Sequence, residues 1–174
     1  MNPILSLDEV SVSLPAGADR PYAMEQVSLT VSAGEILCVV GESGSGKSMT
    51  ANAIMRLLPQ GVAIAGGRIL FEGRDLAAID EAAMRKVRGA GIAMIFQEPM
   101  TALNPLRSIG DQIGEMFEIH TELSRTEIRE RVLALLAEVR IPDPALAAKA
   151  YPHELSGGQR QRAMIAMALA LDPR

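Results

Sequence analysis

The segment Gly41–Ser48 has the residue types and spacing that bind a polyphosphate. Its sequence, GESGSGKS, fits the pattern G-x-x-x-x-G-K-[ST], in which glycines let the backbone curve closely around phosphates. Successive N–H groups in such a loop point inward at the anion. We expect Lys47 to reach the β- and γ-phosphates of a nucleotide and the Ser48 hydroxyl to bind Mg²⁺. The alternative is a glycine-rich turn with an exposed lysine, but chance gives this pattern in roughly 1% of chains of this length.

The flanking sequence places this loop between a strand and a helix. Glu35–Val40 is a short apolar run, which predicts a buried parallel strand and an inert, buried thiol at Cys38. Met49–Leu58 predicts a helix that ends before Pro59. The start of this helix would add unpaired N–H donors and a positive dipole end to the phosphate site. The predicted nucleotide-binding residues of this segment are Gly41, Glu42, Ser43, Gly44, Ser45, Gly46, Lys47, Ser48 and Met49.

A second segment, Leu155–Gln159, also has a helix start that suits a phosphate. Ser156 and Gln159 have capping-box spacing, and the two glycines between them leave the first turn without side chains. The following residues, Ala163–Leu171, are almost wholly apolar, which predicts that the helix is buried.

Apolar segments elsewhere predict several strands. Ile4–Leu14 and Glu25–Val31 alternate between apolar and polar residues, which predicts an antiparallel layer beside a parallel core sheet. Gly66–Leu76 predicts a glycine turn, a short strand and another turn. Gly91–Phe96 predicts a second buried strand. Strands alternating with helices indicate an α/β fold.

The remaining helices are predicted from their caps and apolar stripes. Asp80 predicts the cap of a helix that runs to about Arg88, with Gly89 at its C-terminal end. Ser108 and Asp111 predict the start of another helix, which runs to about His120. Ser124–Glu127 has capping-box spacing before the apolar stripe of Ile128–Val139. The pair Asp143-Pro144 predicts the start of a short helix.

Composition restricts the classes of partner. The 174 residues carry a net charge of −4, so there is no general attraction to nucleic acid. With three Phe, two Tyr and no Trp, few rings are available for base stacking. The single cysteine excludes an intrachain disulfide, which fits a reducing cytosol. No signal peptide is evident and no apolar run approaches the ~20 residues that span a bilayer, so we expect work at a membrane to pass through a partner.

Taken together, three motifs resemble those of the ATP-binding cassette (ABC) transporter ATPases. Gly41–Ser48 resembles their Walker A loop, Gln97 resembles the glutamine of their Q-loop, and Leu155–Gln159 is identical to their signature sequence. The sequences of Ile95–Pro105 and Tyr151–Gly158 are similar to those of the oligopeptide, dipeptide, nickel and glutathione importer branch. The resemblance covers essentially the whole chain.

The resemblance implies a P-loop nucleotidase fold with a mixed central sheet, an antiparallel β layer and a helical subdomain. It implies an ATP-binding core at residues 1–98, a helical subdomain at 99–154, and the signature motif with its following helix at 155–174. The family pattern continues after Arg174 with a Walker B Asp for Mg²⁺, a Glu that polarises water and a switch His. None of these is assigned in this chain, so we expect the chain alone to bind ATP and to hydrolyse it poorly.

The resemblance also implies how the motifs act. Two domains would hold two ATP molecules head to tail. Lys47 and Gln97 would be catalytic residues, and Ser48 and Gln97 would bind Mg²⁺. The signature residues that would cover the γ-phosphate from the second domain are Ser156, Gly157, Gly158 and Gln159. The helical subdomain would contact a membrane permease that receives its solute from a solute-binding protein. The subunit would then lie at the cytoplasmic face of the cell membrane, in bacteria the inner membrane.

Two interpretations stay open. Tyr22 lies where some nucleotidases carry an aromatic ring that stacks on adenine, but a surface tyrosine at a sheet edge is equally consistent with the sequence. The alternatives to an importer subunit are a soluble ABC ATPase of DNA repair or translation and a non-catalytic interaction fragment. The net negative charge and the importer-like sequence around Gln97 favour the importer.

Overall fold

The computed structural model describes residues 3–98 and 102–174 of the chain. The chain divides into two compact units, Met1–Met84 and Arg85–Arg174. This boundary lies before residue 98, where the family resemblance placed the end of the ATP-binding core, and the functional division into three parts stays a prediction.

The first unit is built on a four-stranded antiparallel sheet with the strand order β2-β1-β3-β4. The sheet confirms the two strands predicted from alternating sequence, although β2 begins three residues earlier than the predicted Glu25. Leu7, Val10 and Val12 of the central strand are completely or almost completely buried, so the alternation did identify the core-facing side. The strands are β1, Leu5–Ser13; β2, Tyr22–Val31; β3, Ala63–Phe71; and β4, Arg74–Asp75.

The glycine pair Gly66-Gly67 lies within β3 and does not form the predicted turn. Gly67 has a φ of +84° at an irregularity in the pairing of β1 with β3, and a Cβ atom there would lie 2.5 Å from the carbonyl oxygens of Asp8 and Glu9. The absence of a side chain at Gly67 therefore allows two strands to approach closely. Sequence alone does not distinguish this from a turn, because both need a residue without a side chain.

Helix α1, Lys47–Met55, follows the phosphate loop directly. It ends three residues before the predicted Leu58, because Arg56 adopts a left-handed conformation with a φ of +50°. The Arg56 guanidinium donates hydrogen bonds to the carbonyl oxygens of Leu76 and Ile79 at 3.3 and 2.6 Å. These tertiary bonds hold the residue that ends the helix.

The two predicted parallel strands do not form. Glu35–Val40 has no strand assignment and is exposed, with Ile36 at 90% and Val40 at 89% of their full exposure. In Gly91–Phe96 the described pairing is a single isolated bridge between Arg88 and Ile92. A strand needs a neighbour that completes its ladder of hydrogen bonds, and within residues 3–98 and 102–174 no strand pairs with either segment. The mixed α/β class is confirmed, but its described sheet is antiparallel.

The prediction of a buried thiol fails for the same reason. Cys38 lies in the middle of the unpaired run, and its side chain is exposed. The apolar composition of this run is therefore not enough to bury it, because burial also requires a neighbouring strand.

The second unit is helical and has a continuous apolar core. Its helices confirm the caps predicted from sequence: Ser108 accepts a hydrogen bond from the Asp111 amide at 3.1 Å, and Asp143 accepts one from the Leu146 amide at 3.1 Å. The helices are α2, Glu81–Val87, which spans the boundary of the units; α3, Ile109–His120; α4, Arg125–Glu138; α5, Pro144–Lys149; a 3₁₀ turn, Pro152–Glu154; and α6, Gly157–Leu169.

Close helix packing defines this core. A Cβ atom on Gly110 of α3 would lie 2.7 Å from the Ala148 carbonyl oxygen of α5, so only glycine fits there. Ile109, Ile113 and Leu136 are fully buried. None of the helices in the described part of the chain is long and apolar enough to cross a membrane.

Candidate nucleotide-binding site

The phosphate loop curves over the start of α1. Gly46 is the N-cap residue with a φ of +91°. A Cβ atom on Gly46 would lie 3.1 Å from the Ala23 carbonyl oxygen and 3.4 Å from the Met24 Cβ atom. Because β2 lies this close, the loop needs glycine at this position both for its backbone angle and for space.

Lys47 lies inside the curve of this loop. Its Nζ atom donates hydrogen bonds to the carbonyl oxygens of Gly41 and Glu42 at 2.8 and 2.6 Å, and to the Ser45 Oγ atom at 3.3 Å. Three oxygen atoms of the loop therefore surround the ammonium group. A phosphate oxygen that enters the loop would meet a cation already held at its centre.

The N-terminal turn of α1 adds to this positive site. The turn contains no acidic side chain, so no carboxylate within it opposes the helix dipole. Ser48 is exposed and Met49 is half-buried, while Thr50 is buried and donates a hydrogen bond from Oγ1 to the Gly46 carbonyl oxygen at 3.1 Å. The Ser48 hydroxyl is thus accessible at the start of the helix.

Tyr22 lies beside this region as the first residue of β2. It is paired with Ser13 and is partly buried, and with the β1–β2 loop and Ala65 it lines an open cavity of about 580 Å³. This position is consistent with either interpretation of Tyr22, so the role of its ring stays a prediction.

The β1–β2 loop also contributes a residue that the sequence did not indicate. The Nη2 atom of Arg20 donates a hydrogen bond to the Gly44 carbonyl oxygen at 3.3 Å. Arg20 is 24 residues away from Gly44 in the chain and belongs to no motif, so no spacing pattern points to it.

The signature segment lies in the second unit and forms the predicted capping box. The Ser156 amide donates to the Gln159 Oε1 atom at 2.9 Å, and the Gln159 amide donates to the Ser156 Oγ atom at 3.3 Å. Gly157 and Gly158 are exposed, and a Cβ atom on either would meet no other atom within 4 Å. Leu155, at 8% exposure, fixes the segment to the apolar core. A helix start that is free of side chains is therefore open to a ligand.

The helix that follows is less buried than its sequence predicts. Ala163, Met164 and Ala166 of α6 are buried, whereas Leu169 is 41% exposed. The apolar sequence covers the whole circumference of the helix, but only one side of α6 packs against the core of its unit.

Gln97 is exposed in a bend after segment 91–96, which forms no strand. Three residues of the importer-like sequence, Pro99, Met100 and Thr101, lie outside the described residues. The structure therefore groups Gly41–Met49 with Tyr22 in the first unit, and places Gln97 and Ser156–Gln159 in the second.

Comparisons with known proteins bear on the family of the chain. The family described as "ABC transporter" matches residues 24–174. The chain is 53% identical over 173 residues to the peptidoglycan transport ATP-binding protein YejF of Agrobacterium fabrum, covering 99% of this chain and 32% of that protein. It is 47% identical to the dipeptide transport ATP-binding protein DppD of Bacillus subtilis, covering 99% of this chain and 52% of that protein. The chain thus spans about a third of the length of the first of these relatives and about half that of the second.

Solved structures give the same result at the level of the fold. The dimeric structure of MJ0796, a bacterial ABC transporter cassette, matches with a TM-score of 0.85 and 29% identity, over 97% of this chain and 70% of that one. A post-hydrolysis dimer of MJ0796 bound to ADP and Pi matches with a TM-score of 0.84 and 28% identity, over the same shares of the two chains.

Proposed function

Because the chain belongs to the ABC transporter family, we propose that it is the ATP-binding part of an importer subunit that couples ATP binding and hydrolysis to solute uptake. The observation that carries this proposal is the Lys47 ammonium group, held by three oxygen atoms inside an exposed glycine loop. A triphosphate supplies oxygen atoms of higher negative charge than the carbonyl groups that now accept these bonds. Lys47 would therefore exchange loop carbonyls for phosphate oxygens on binding.

The residues of the loop fit the phosphates of ATP. The amides of Gly41–Met49 would donate to phosphate oxygens, and the ring of Tyr22 would lie against adenine. The Ser48 hydroxyl would hold Mg²⁺, which would supply positive charge to the phosphates when it is bound, and Gln97 remains the second metal ligand that the family resemblance implies. Among residues 3–98 and 102–174 no group of three or more His, Cys, Asp and Glu residues could hold a metal ion.

A second copy of this domain, or a homologous domain, would complete the site. The exposed N-terminal turn of α6 carries the residues that would cover the γ-phosphate from the neighbouring domain: Ser156, Gly157, Gly158 and Gln159. Support for this arrangement comes from the dimeric state named for MJ0796 and from the absence of side chains at the two glycines. In this proposal residues 1–98 form the nucleotide core, 99–154 the helical subdomain, and 155–174 the signature motif with its helix.

The proposed solutes are peptides and related small molecules. Several relatives are named as peptide or dipeptide transport ATP-binding proteins. We infer that the chain acts at the cytoplasmic face of the cell membrane, against a permease that receives solute from a binding protein.

Nucleotide binding by the purified chain tests the proposal. Fluorescent mant-ATP with Mg²⁺ should bind to the unaltered chain, and Lys47→Ala should weaken binding about 10- to 100-fold, as expected for the loss of a charged hydrogen-bond donor. Lys149→Ala removes an exposed lysine of α5 and should leave affinity unchanged. Equal binding by the unaltered chain and Lys47→Ala would contradict the site, and an effect of Lys149→Ala as large as that of Lys47→Ala would indicate a non-specific charge effect.

A further inference from the structure

Arg20 connects the β1–β2 loop to the phosphate loop through its hydrogen bond to the Gly44 carbonyl oxygen. We propose that Arg20 is a positioning residue that orients the peptide group between Gly44 and Ser45 for phosphate binding. This inference rests on the proposed nucleotide site. It adds a residue outside the glycine loop to the parts that determine nucleotide affinity.

The orientation of this peptide group follows from three contacts. The Ser45 amide donates to the Glu42 carbonyl oxygen at 3.3 Å, and the same oxygen accepts a hydrogen bond from Lys47 Nζ at 2.6 Å. The Ser45 N–H group therefore points to the side of the loop that holds the ammonium. In a planar trans peptide the C=O group points the opposite way, so the Gly44 carbonyl faces outward, where Arg20 binds it.

Because Gly44 is flexible, the orientation of this peptide group depends on the hydrogen bonds at its two ends, one of which comes from Arg20. Gly44 has a φ of +82°, and a Cβ atom there would meet no other atom within 4 Å. Glycine adopts positive and negative φ with similar ease, so the backbone of Gly44 does not by itself oppose rotation of the 44–45 peptide once a hydrogen bond is lost. A rotated peptide would direct its carbonyl oxygen at the phosphates, and the site would gain a repulsive dipole in place of a donor.

The backbone that carries Arg20 is itself held in place. The Leu14 amide donates to the Pro21 carbonyl oxygen at 2.9 Å, so the loop is closed directly next to Arg20. Further along β2, Met24 Sδ contacts Thr50 Oγ1 of α1 at 3.7 Å. Arg20 therefore acts from a strand end that is fixed to the same helix as the phosphate loop.

Two variants of Arg20 test this role through binding of Mg-mant-ATP. Arg20→Gln should weaken affinity about five- to tenfold, as expected for the net contribution of one exposed hydrogen bond that acts through the loop. Arg20→Lys keeps a cationic donor on a flexible stem and should restore at least half of the lost affinity on a logarithmic scale. Arg74→Gln removes a charge from β4 of the same unit and serves as the matched control, with affinity unchanged.

Inorganic tripolyphosphate, used to displace mant-ATP, separates positioning from a contact with the nucleoside. If Arg20 acts through the loop, Arg20→Gln should weaken the binding of tripolyphosphate and of ATP by the same factor. An ATP-specific loss would overturn the proposal, because it would place Arg20 against the base or ribose. In the ligand-free ¹⁵N-labelled chain, the Ser45 amide resonance should shift in Arg20→Gln and stay in place in Arg74→Gln.

The outcomes also separate this inference from the proposed function. Normal binding by the unaltered chain together with unchanged affinity in Arg20→Gln would overturn the role of Arg20 and leave the nucleotide site intact. An unaltered chain that binds neither mant-ATP nor tripolyphosphate would overturn both. A Ser45 resonance that does not move in Arg20→Gln would contradict the orientation argument even if affinity falls.

Discussion

Asn104 and Gln112 are joined by two hydrogen bonds. The Asn104 amide donates to Gln112 Oε1 at 2.8 Å, and Gln112 Nε2 donates back to the Asn104 carbonyl oxygen at 3.0 Å. The same nitrogen donates to the Arg107 carbonyl oxygen at 3.0 Å. Gln112 is only 4% exposed, so one buried side chain of α3 fixes the segment that precedes the helix.

Replacing Gln112 should therefore destabilise the second unit. Gln112→Leu has a similar size but leaves one amide and two carbonyl groups without their partner, and we expect a loss of about 1–3 kcal/mol in the free energy of unfolding. Gln161→Leu, at an exposed position of α6, is the matched control and should change stability by less than about 0.5 kcal/mol. Urea unfolding followed by circular dichroism measures both, and equal stability of the two variants would contradict the role of Gln112.

Glu127 gives a prediction about pH. The hydroxyl and the amide of Ser124 donate to its Oε2 atom at 2.6 and 2.8 Å, and these bonds hold the pKa of the Glu127 carboxyl below its ordinary value. A lowered folded-state pKa stabilises the fold above the ordinary value, about 4.3, and this contribution is lost as pH falls through the folded-state pKa. Glu127→Gln should therefore be less stable than the unaltered chain at pH 7, and the difference should shrink below pH ~4.

Unfolding free energies measured from pH 7 to pH 3 check this difference. Glu130→Gln changes an exposed glutamate of the same helix and should run parallel to the unaltered chain over this range. A stability difference between Glu127→Gln and the unaltered chain that stays constant with pH would show that the carboxylate charge is not involved.

The capping boxes could be predicted because each depends on residues three positions apart. Ser124 with Glu127 and Ser156 with Gln159 form the expected bonds, since helix geometry alone brings these groups together. The phosphate loop is local in the same sense, because its eight residues carry both the glycines and the lysine. Local geometry therefore accounts for what the sequence predicted of the site.

The features that the sequence missed depend on distant partners. The run Glu35–Val40 has the composition of a strand, but a strand exists only where another segment completes its hydrogen bonds, and no strand of the described chain does so. Arg20 was missed because its partner Gly44 is distant in sequence. Gly67 was interpreted as a turn because the carbonyl groups that exclude its side chain belong to another strand.

A loop can require glycine because of a positive φ or because of a close contact, and Gly46 and Gly17 distinguish these two reasons. Their φ values are +91° and +93°, but a Cβ atom on Gly46 would lie 3.1 Å from the Ala23 carbonyl oxygen, whereas one on Gly17 would meet no atom within 4 Å. Gly17→Ala should cost about 1–2 kcal/mol from backbone strain alone. Gly46→Ala carries the same strain and the close contact with β2, and should cost more. Thermal and urea unfolding of both variants measure the difference, and equal losses would show that the contact with Ala23 is relieved at no cost.

Cys38 reports directly on the unpaired run before the phosphate loop. It is the only cysteine of the chain and is exposed, within a segment where Val39 and Val40 are also exposed. The thiol should therefore react with a reagent such as DTNB in the native chain at a rate close to that in urea, because an accessible thiol needs no opening of the fold. Cys38→Ser should give no signal and confirms the assignment. Strong protection of the thiol in the native chain would show that another segment covers this run in solution, and would contradict the exposed conformation of Glu35–Val40.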